Sequence, residues 1–231
     1  MEEKFMNLKE ELVMTVGYDD CPESPREWDN MGTFYTWQRN RISPDKNNFS
    51  DAIEFISSIL GESATEKIHE KYNNTADFMS EIVQKLDKRG YVLYPVSAYE
   101  HGDIVFSLGC ESGWDSGTIG VIFAEKKKIY EEFGVKRLTK EIREKIENIF
   151  TSELATYTQW ANGEVYIFSL EKLNGDHVEC IGGIYDDIMY SVQSAYLYTK
   201  QYAELGKLSD WEEFDEGKVS EAFEISTVAR K

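Results

Sequence analysis

Two segments carry the residues best suited to chemistry. One is Ser24-Pro25-Arg26-Glu27-Trp28-Asp29-Asn30-Met31-Gly32, and the other is Gly113-Trp114-Asp115-Ser116-Gly117-Thr118-Ile119-Gly120. Each sets an indole beside a carboxylate within a chain-bending context. Asp29 and Asp115, with Glu27 and Glu111, offer oxygen ligands of the kind a hard cation such as Mg²⁺ takes, and the two Trp rings could stack a base or sugar. No ligand spacing marks a metal centre, so neither a metal nor another cofactor is expected. The alternative is architectural. Pro25 holds Ser24 extended at the entry to a tight turn. Arg26 is suited to a two-pronged clamp on Glu27 or Asp29 while Trp28 buries its ring. Asp115 before Ser116-Gly117 has the form of an Asx turn. A pocket floored by Trp28 and Trp114 is the functional version of the same residues.

Other catalytic patterns are weak, and no catalytic residue is assigned. His177 precedes Cys180 by three positions, which in a strand turns the two side chains to opposite faces. His101 with Cys110 is no better placed. Gly109, Gly113, Gly117 and Gly120 lack the Lys-Ser/Thr end of a phosphate-binding loop. The segment 125–150 holds eight bases and six acids and reads as a solvated helix face. Near the end, Trp211-Glu212-Glu213-Phe214-Asp215-Glu216 alternates acids with aromatics and is the candidate partner-binding segment. There the aromatics would act as apolar anchors.

The elements that must position these residues follow from periodicity. A strand is expected over 10–18 and a β-prone run over 34–37. Between 49 and 89 the pattern is helical, with stripes at Ile53, Ile56, Ile59 and Leu60, and at Phe78, Ile82, Val83 and Leu86. Strands return at 91–99, 103–108 and 118–124. A short basic helix spans 125–133, and Thr139 caps a long helix to about Ala161. Two strands flank Asn174-Gly175, a hairpin signal, and a tyrosine-rich helix covers roughly Asp187 to Ala203. The fold class expected is α+β, a mostly antiparallel sheet packed against helices. One domain is expected over 1–203 with a helical insert at about 45–90, followed by an acidic-aromatic tail over 204–231.

The 231 residues carry 25 Lys and Arg against 43 Asp and Glu, a formal charge of −18, with 41% hydrophobic and 13% aromatic residues. That content supports a folded core. The charge repels phosphates and attracts basic protein surfaces, so direct nucleic-acid binding is not expected. Cys21, Cys110 and Cys180 form no pairing pattern and read as reduced thiols. The start Met1-Glu2-Glu3-Lys4 has no signal-peptide pattern, and no apolar run is long enough to span a bilayer. Cytoplasmic localisation is expected, with no membrane partner.

The two Trp-Asp segments, Ile119-Gly120-Val121-Ile122-Phe123 and Tyr157-Thr158-Gln159-Trp160 resemble a family of uncharacterised bacteriophage and mobile-element proteins. The similarity extends over 18–32, 113–130 and 135–186. It includes Asn162-Gly163-Glu164-Val165-Tyr166 and Gly182-Gly183-Ile184-Tyr185-Asp186, with Met31 where the family commonly has Leu. The resemblance implies a phage origin, and a host cytoplasm as the setting, without a reaction. Charge and resemblance together point to an acidic binding protein, more plausibly not an enzyme. It would inhibit a host nucleic-acid-handling defence enzyme, a restriction or CRISPR effector, by occupying its basic surface. A homodimer is left open. The alternative is a small metal-dependent enzyme acting on nucleotides or nucleic acid through the Trp-Asp loops.

Overall fold

The structure is a computed structural model that describes residues 2–37, 43–46, 49–185 and 192–229. It is α+β, with seven α-helices and two antiparallel sheets among the described residues. In place of the single domain expected over 1–203, the chain divides into two compact units. Met1–Glu23 with Gly163–Lys231 form the first, and Ser24–Asn162 form the second. No helix among the described residues is long and apolar enough to cross a membrane.

The first unit is built on strands β1 (Glu2–Asn7), β2 (Leu12–Tyr18), β7 (Tyr166–Lys172), β8 (His177–Ile184) and β9 (Glu212–Glu213), in the order β8-β7-β2-β1-β9. β2 matches the expected strand, but β1 was hidden by the charged run Glu2-Glu3-Lys4. The hairpin between them is held by the buried side chain of Asn7, whose Oδ1 accepts from the N–H groups of Lys9 (3.1 Å) and Glu10 (3.2 Å). Leu12, Met14 and Val16 alternate inward and pack with Tyr166, Phe168 and Leu170 of β7 and Ala195 of helix α6 (Val192–Thr199). The expected start of that helix at Asp187 lies outside the described residues. Tyr18 pairs with Tyr166, and the Asp19 N–H donates to the Val165 carbonyl at 2.8 Å. The chain therefore leaves and re-enters this unit at neighbouring points, and the whole second unit is an insertion between β2 and β7.

The expected tail belongs to the first unit. Trp211 is 6% exposed, sits in the core and donates its indole N–H to the Leu205 carbonyl at 2.8 Å. β9 follows and pairs with β1, Phe5 opposite Glu213 and Met6 opposite Glu212. Helix α7 (Glu216–Ala229) completes the segment.

The second unit holds the other sheet, β3 (Thr33–Thr36), β4 (Tyr91–His101), β5 (Asp103–Leu108) and β6 (Ser116–Glu125), ordered β3-β6-β4-β5. Helices α1 (Ala52–Leu60), α2 (Glu62–Lys71) and α3 (Thr75–Lys88) form the insert seen in the sequence. Asp51 and Asn74 cap α1 and α3 through side-chain oxygens 2.8 Å from the N–H groups of Glu54 and Asp77. Thr139 caps α5 (Lys140–Ala161), and α4 (Lys126–Phe133) precedes it.

The sheet is packed on both faces. Val92, Val96 and Ile122 join Ile146, Phe150 and Leu154 of α5, while Leu93, Val121 and Phe123 join Ile56, Met79, Ile82 and Leu86 of the insert. β6 is accordingly buried continuously from Ile119 to Ala124, a run without polar alternation. A bulge shifts its register against β4, so Ile119 and Ile122, three apart, reach the same core. Gly120 is required there, because a Cβ would lie 2.1 Å from the Tyr35 carbonyl oxygen of β3.

Both edges of this sheet are closed by side chains. On β5, Asn162 accepts from the N–H of Ile104 and donates to its carbonyl (both 2.9 Å), and Thr158 Oγ1 accepts from Phe106 (3.1 Å). On β3, Asp45 Oδ2 accepts from Phe34 (2.6 Å) and Ser43 Oγ from Thr36 (3.2 Å). Edges satisfied in this way resist pairing with another chain.

Candidate functional sites

The first Trp-Asp loop is organised by Arg26, as expected, but through other partners. Arg26 does not clamp Glu27 or Asp29. Its Nε and Nη2 donate to Asp45 Oδ1 (2.8 Å) and Oδ2 (2.7 Å), its Nη1 to Glu153 Oε2 (3.2 Å), and its Nη2 also to the Gly32 carbonyl (2.5 Å). The side chain is 2% exposed. Burial alone would lower the guanidinium pKa, but the two carboxylates outweigh it and hold it above its ordinary value. Glu153, from the middle of α5, closes the loop by accepting from the N–H groups of Met31 (2.8 Å) and Gly32 (3.2 Å). Gly32 is needed for that approach, since a Cβ would come 2.7 Å from Ile122 and 2.9 Å from Glu153. Sequence reasoning missed Asp45 and Glu153, which lie 19 and 127 residues from Arg26.

Glu27, Trp28 and Asp29 of this loop face outward. Trp28 is 45% exposed instead of burying its ring, and a cavity of about 350 Å³ lies between it, Pro25, Ile149, Ser152 and Thr156. The Asp29 side chain is fully exposed, 3.9 Å from Lys128, and Glu27 is 3.7 Å from Lys46.

The second loop is a tight turn closed by the Gly113 N–H to the Ser116 carbonyl at 3.0 Å. Trp114 is 97% exposed. The Asp115 carboxylate faces His101, Nδ1 to Oδ2 3.3 Å, instead of capping backbone N–H groups as in an Asx turn.

The two loops do not meet. Thr33, which follows the first loop, pairs with Phe123 near one end of β6, whereas the second loop enters β6 at Ser116. That separation is roughly 20 Å at about 3.3 Å per residue. A pocket floored by both Trp rings is therefore not formed, and Asp29 and Glu27 cannot share a cation with Asp115 and Glu111. Among the described residues no three His, Cys, Asp or Glu side chains converge to hold a metal ion. His101 lies at the tip of the β4–β5 hairpin, and Cys110 follows the opposite end of β5. Burial pushes the Cys110 thiol pKa up, against an opposing hydrogen bond from Thr118, which disfavours a thiolate.

The acidic-aromatic segment is split by its docking. Trp211 is core, whereas Glu212, Glu213, Asp215 and Glu216 are exposed and Phe214 is 37% exposed. Lys218 reaches Glu212 at 2.7 Å, and Asp215 Oδ1 accepts from the Lys218 N–H at 3.2 Å, at the start of α7. The Phe214 N–H donates to the Lys4 carbonyl at 3.0 Å, which extends the edge of the sheet.

Charge is divided unevenly. The first unit holds 21 acids and 8 bases, a formal −13, and the second 22 acids and 17 bases, a formal −5. A second cavity, of about 1,080 Å³, lies within the helical insert and is lined by Trp37, Asp51, Glu62, Glu66, Glu70 and Phe78 among others. Its only sequence signal is the spacing of four between Glu62, Glu66 and Glu70.

No family model, curated protein or solved structure matches this chain.

Proposed function

We propose that the protein is an acidic binding protein that occupies a basic, nucleic-acid-handling surface of a partner protein. The partner class suggested by the phage resemblance is a host defence enzyme, a restriction or CRISPR effector. The observation that carries this reading is the concentration of charge in the first unit, −13 of the formal −18. Part of it is held on a strand: Glu212 and Glu213 are fixed by pairing with β1 and by the buried Trp211 behind them. Carboxylates on ordered backbone lose little freedom on binding, and their field speeds encounter with a basic groove.

The test is displacement of DNA from purified restriction and CRISPR effectors, followed by gel shift. The wild-type protein should release DNA from an effector it recognises, and less so as salt shortens the Debye length below about 10 Å. The variant Glu212→Lys/Glu213→Lys should lose that activity. Failure to displace DNA from any effector, or equal displacement by the reversed-charge variant, would remove this function.

A further inference from the structure

The cavity of about 350 Å³ lies between the first Trp-Asp loop and α5, at the small end of the roughly 300–1,000 Å³ range of small-molecule clefts. Its walls combine two chemistries. Pro25, the half-exposed Trp28 ring and Ile149 supply an apolar side, while Asn148, Ser152 and Thr156 supply an amide and two hydroxyls. The hydroxyl protons are already used. Ser152 Oγ donates to the Asn148 carbonyl (3.0 Å) and Thr156 Oγ1 to the Ser152 carbonyl (3.1 Å), so both oxygens meet a ligand as acceptors. Glu153 alone among the described lining residues is charged, and its oxygens accept from Arg26 and from the Met31 and Gly32 N–H groups. The indole is also set in advance. Asn30 Nδ2 donates to the Pro25 carbonyl (2.7 Å) and the Trp28 carbonyl (3.1 Å), which fixes the Trp28 backbone on the loop that Arg26 pins.

We propose that this cavity binds a neutral monosaccharide, a single pyranose ring. One face of such a ring is a plane of C–H groups, whose partial positive charge suits the negative face of an indole. Its rim is a set of hydroxyls, which donate to acceptors such as Ser152 Oγ and Thr156 Oγ1. A wholly apolar ligand would strip water from those oxygens without replacing it. An ion finds no uncommitted countercharge among the described lining residues, since Glu153 is matched by Arg26 at 3.2 Å. A wall fixed before binding lowers the ordering cost of the complex. The lining belongs wholly to Ser24–Asn162, so it shares no residue with the acidic sheet edge.

The experiment is ligand-observed saturation-transfer NMR followed by titration. Glucose, galactose, mannose and N-acetylglucosamine are the probes, with adenosine and cyclohexanol as comparison ligands. At least one of the four sugars should give a saturable one-site curve. Trp28→Ala should weaken it by about tenfold, and Ser152→Ala by about fivefold, as for one neutral hydrogen bond. Ser152 is exposed within α5, where Ala is the better helix former, so that variant keeps its fold; a circular-dichroism melt verifies this for both. Trp114→Ala, in the other loop, and Glu212→Lys/Glu213→Lys, on the other unit, should bind as the wild type does. This site and the proposed function therefore fail separately. No saturable binding of any of the four sugars, equal weakening by Trp28→Ala and Trp114→Ala, or tighter binding of adenosine or cyclohexanol than of every sugar would each overturn the proposal.

Discussion

The Arg26 guanidinium shows how one side chain can set a loop. It donates four hydrogen bonds inside a nearly closed environment, two of them to Asp45 and one to Glu153. Removing one member of a buried, hydrogen-bonded charge group leaves the others uncompensated, at a cost of about 3–5 kcal/mol. Arg26→Ala should therefore lose that much stability in urea unfolding, with exposure of the loop to protease. Asp29→Ala should stay within about 0.5 kcal/mol, because its carboxylate is fully exposed and 3.9 Å from its nearest base. A larger loss for Asp29→Ala than for Arg26→Ala would show that the loop is pinned differently. The choice of clamp residue was legible in the sequence, since an Arg beside Pro25 in a turn-forming segment has few other roles. Its partners were not legible, because nothing local to Arg26 marks Asp45 or Glu153.

Among the elements, the helices were the most legible and the strand faces the least. The Thr139 cap, the long helix it opens and the short basic helix before it are local signals, and each appears where the sequence places it. The bulge in β6 is different, since it depends on the register with β4 and on the approach of Tyr35 to Gly120. The joint between α2 and α3 carries a testable electrostatic signature. Hydrogen bonds from Lys71 and then from Tyr72 push the Glu81 pKa down from 4.5 to about 2. A carboxylate that is harder to protonate when folded stabilises the fold above its unfolded pKa and withdraws that contribution as pH falls toward its folded one. The Asp87 pKa is also lowered: burial opposes ionisation, but Arg143 and Lys126 prevail. Unfolding midpoints should thus fall between pH 4.5 and 2, and Glu81→Gln should flatten that limb. An unchanged pH profile in the variant would mean that this contact is broken in solution.

For the whole molecule, the insertion of one unit into another has a direct consequence. Ser24–Asn162 is continuous in sequence and holds its own sheet, both helical layers, the Arg26 partners and the side chains that close both sheet edges. Expressed alone, this segment should unfold cooperatively and keep near-ultraviolet circular dichroism from its packed aromatic cluster around Phe55 and Phe123, whose rings stack at 4.1 Å. A broad, non-cooperative melt would show that the segment depends on the first unit for its fold. The same division assigns most of the net charge to the unit formed by the two chain ends, although the composition of the whole chain shows only the total.

The sequence by itself determined the α+β class, the extents of α4 and α5, the Asn174-Gly175 hairpin and the net charge, whereas α7 in the expected tail had no signal. These depend on residues within a few positions of one another or on simple counts. Tertiary structure alone decided that the Trp-Asp loops lie at opposite ends of β6, that Trp211 is core instead of surface, and that the chain forms two units. Each of those outcomes rests on contacts between segments far apart in the chain, where hydrophobic pattern constrains which face is buried but not which neighbour covers it.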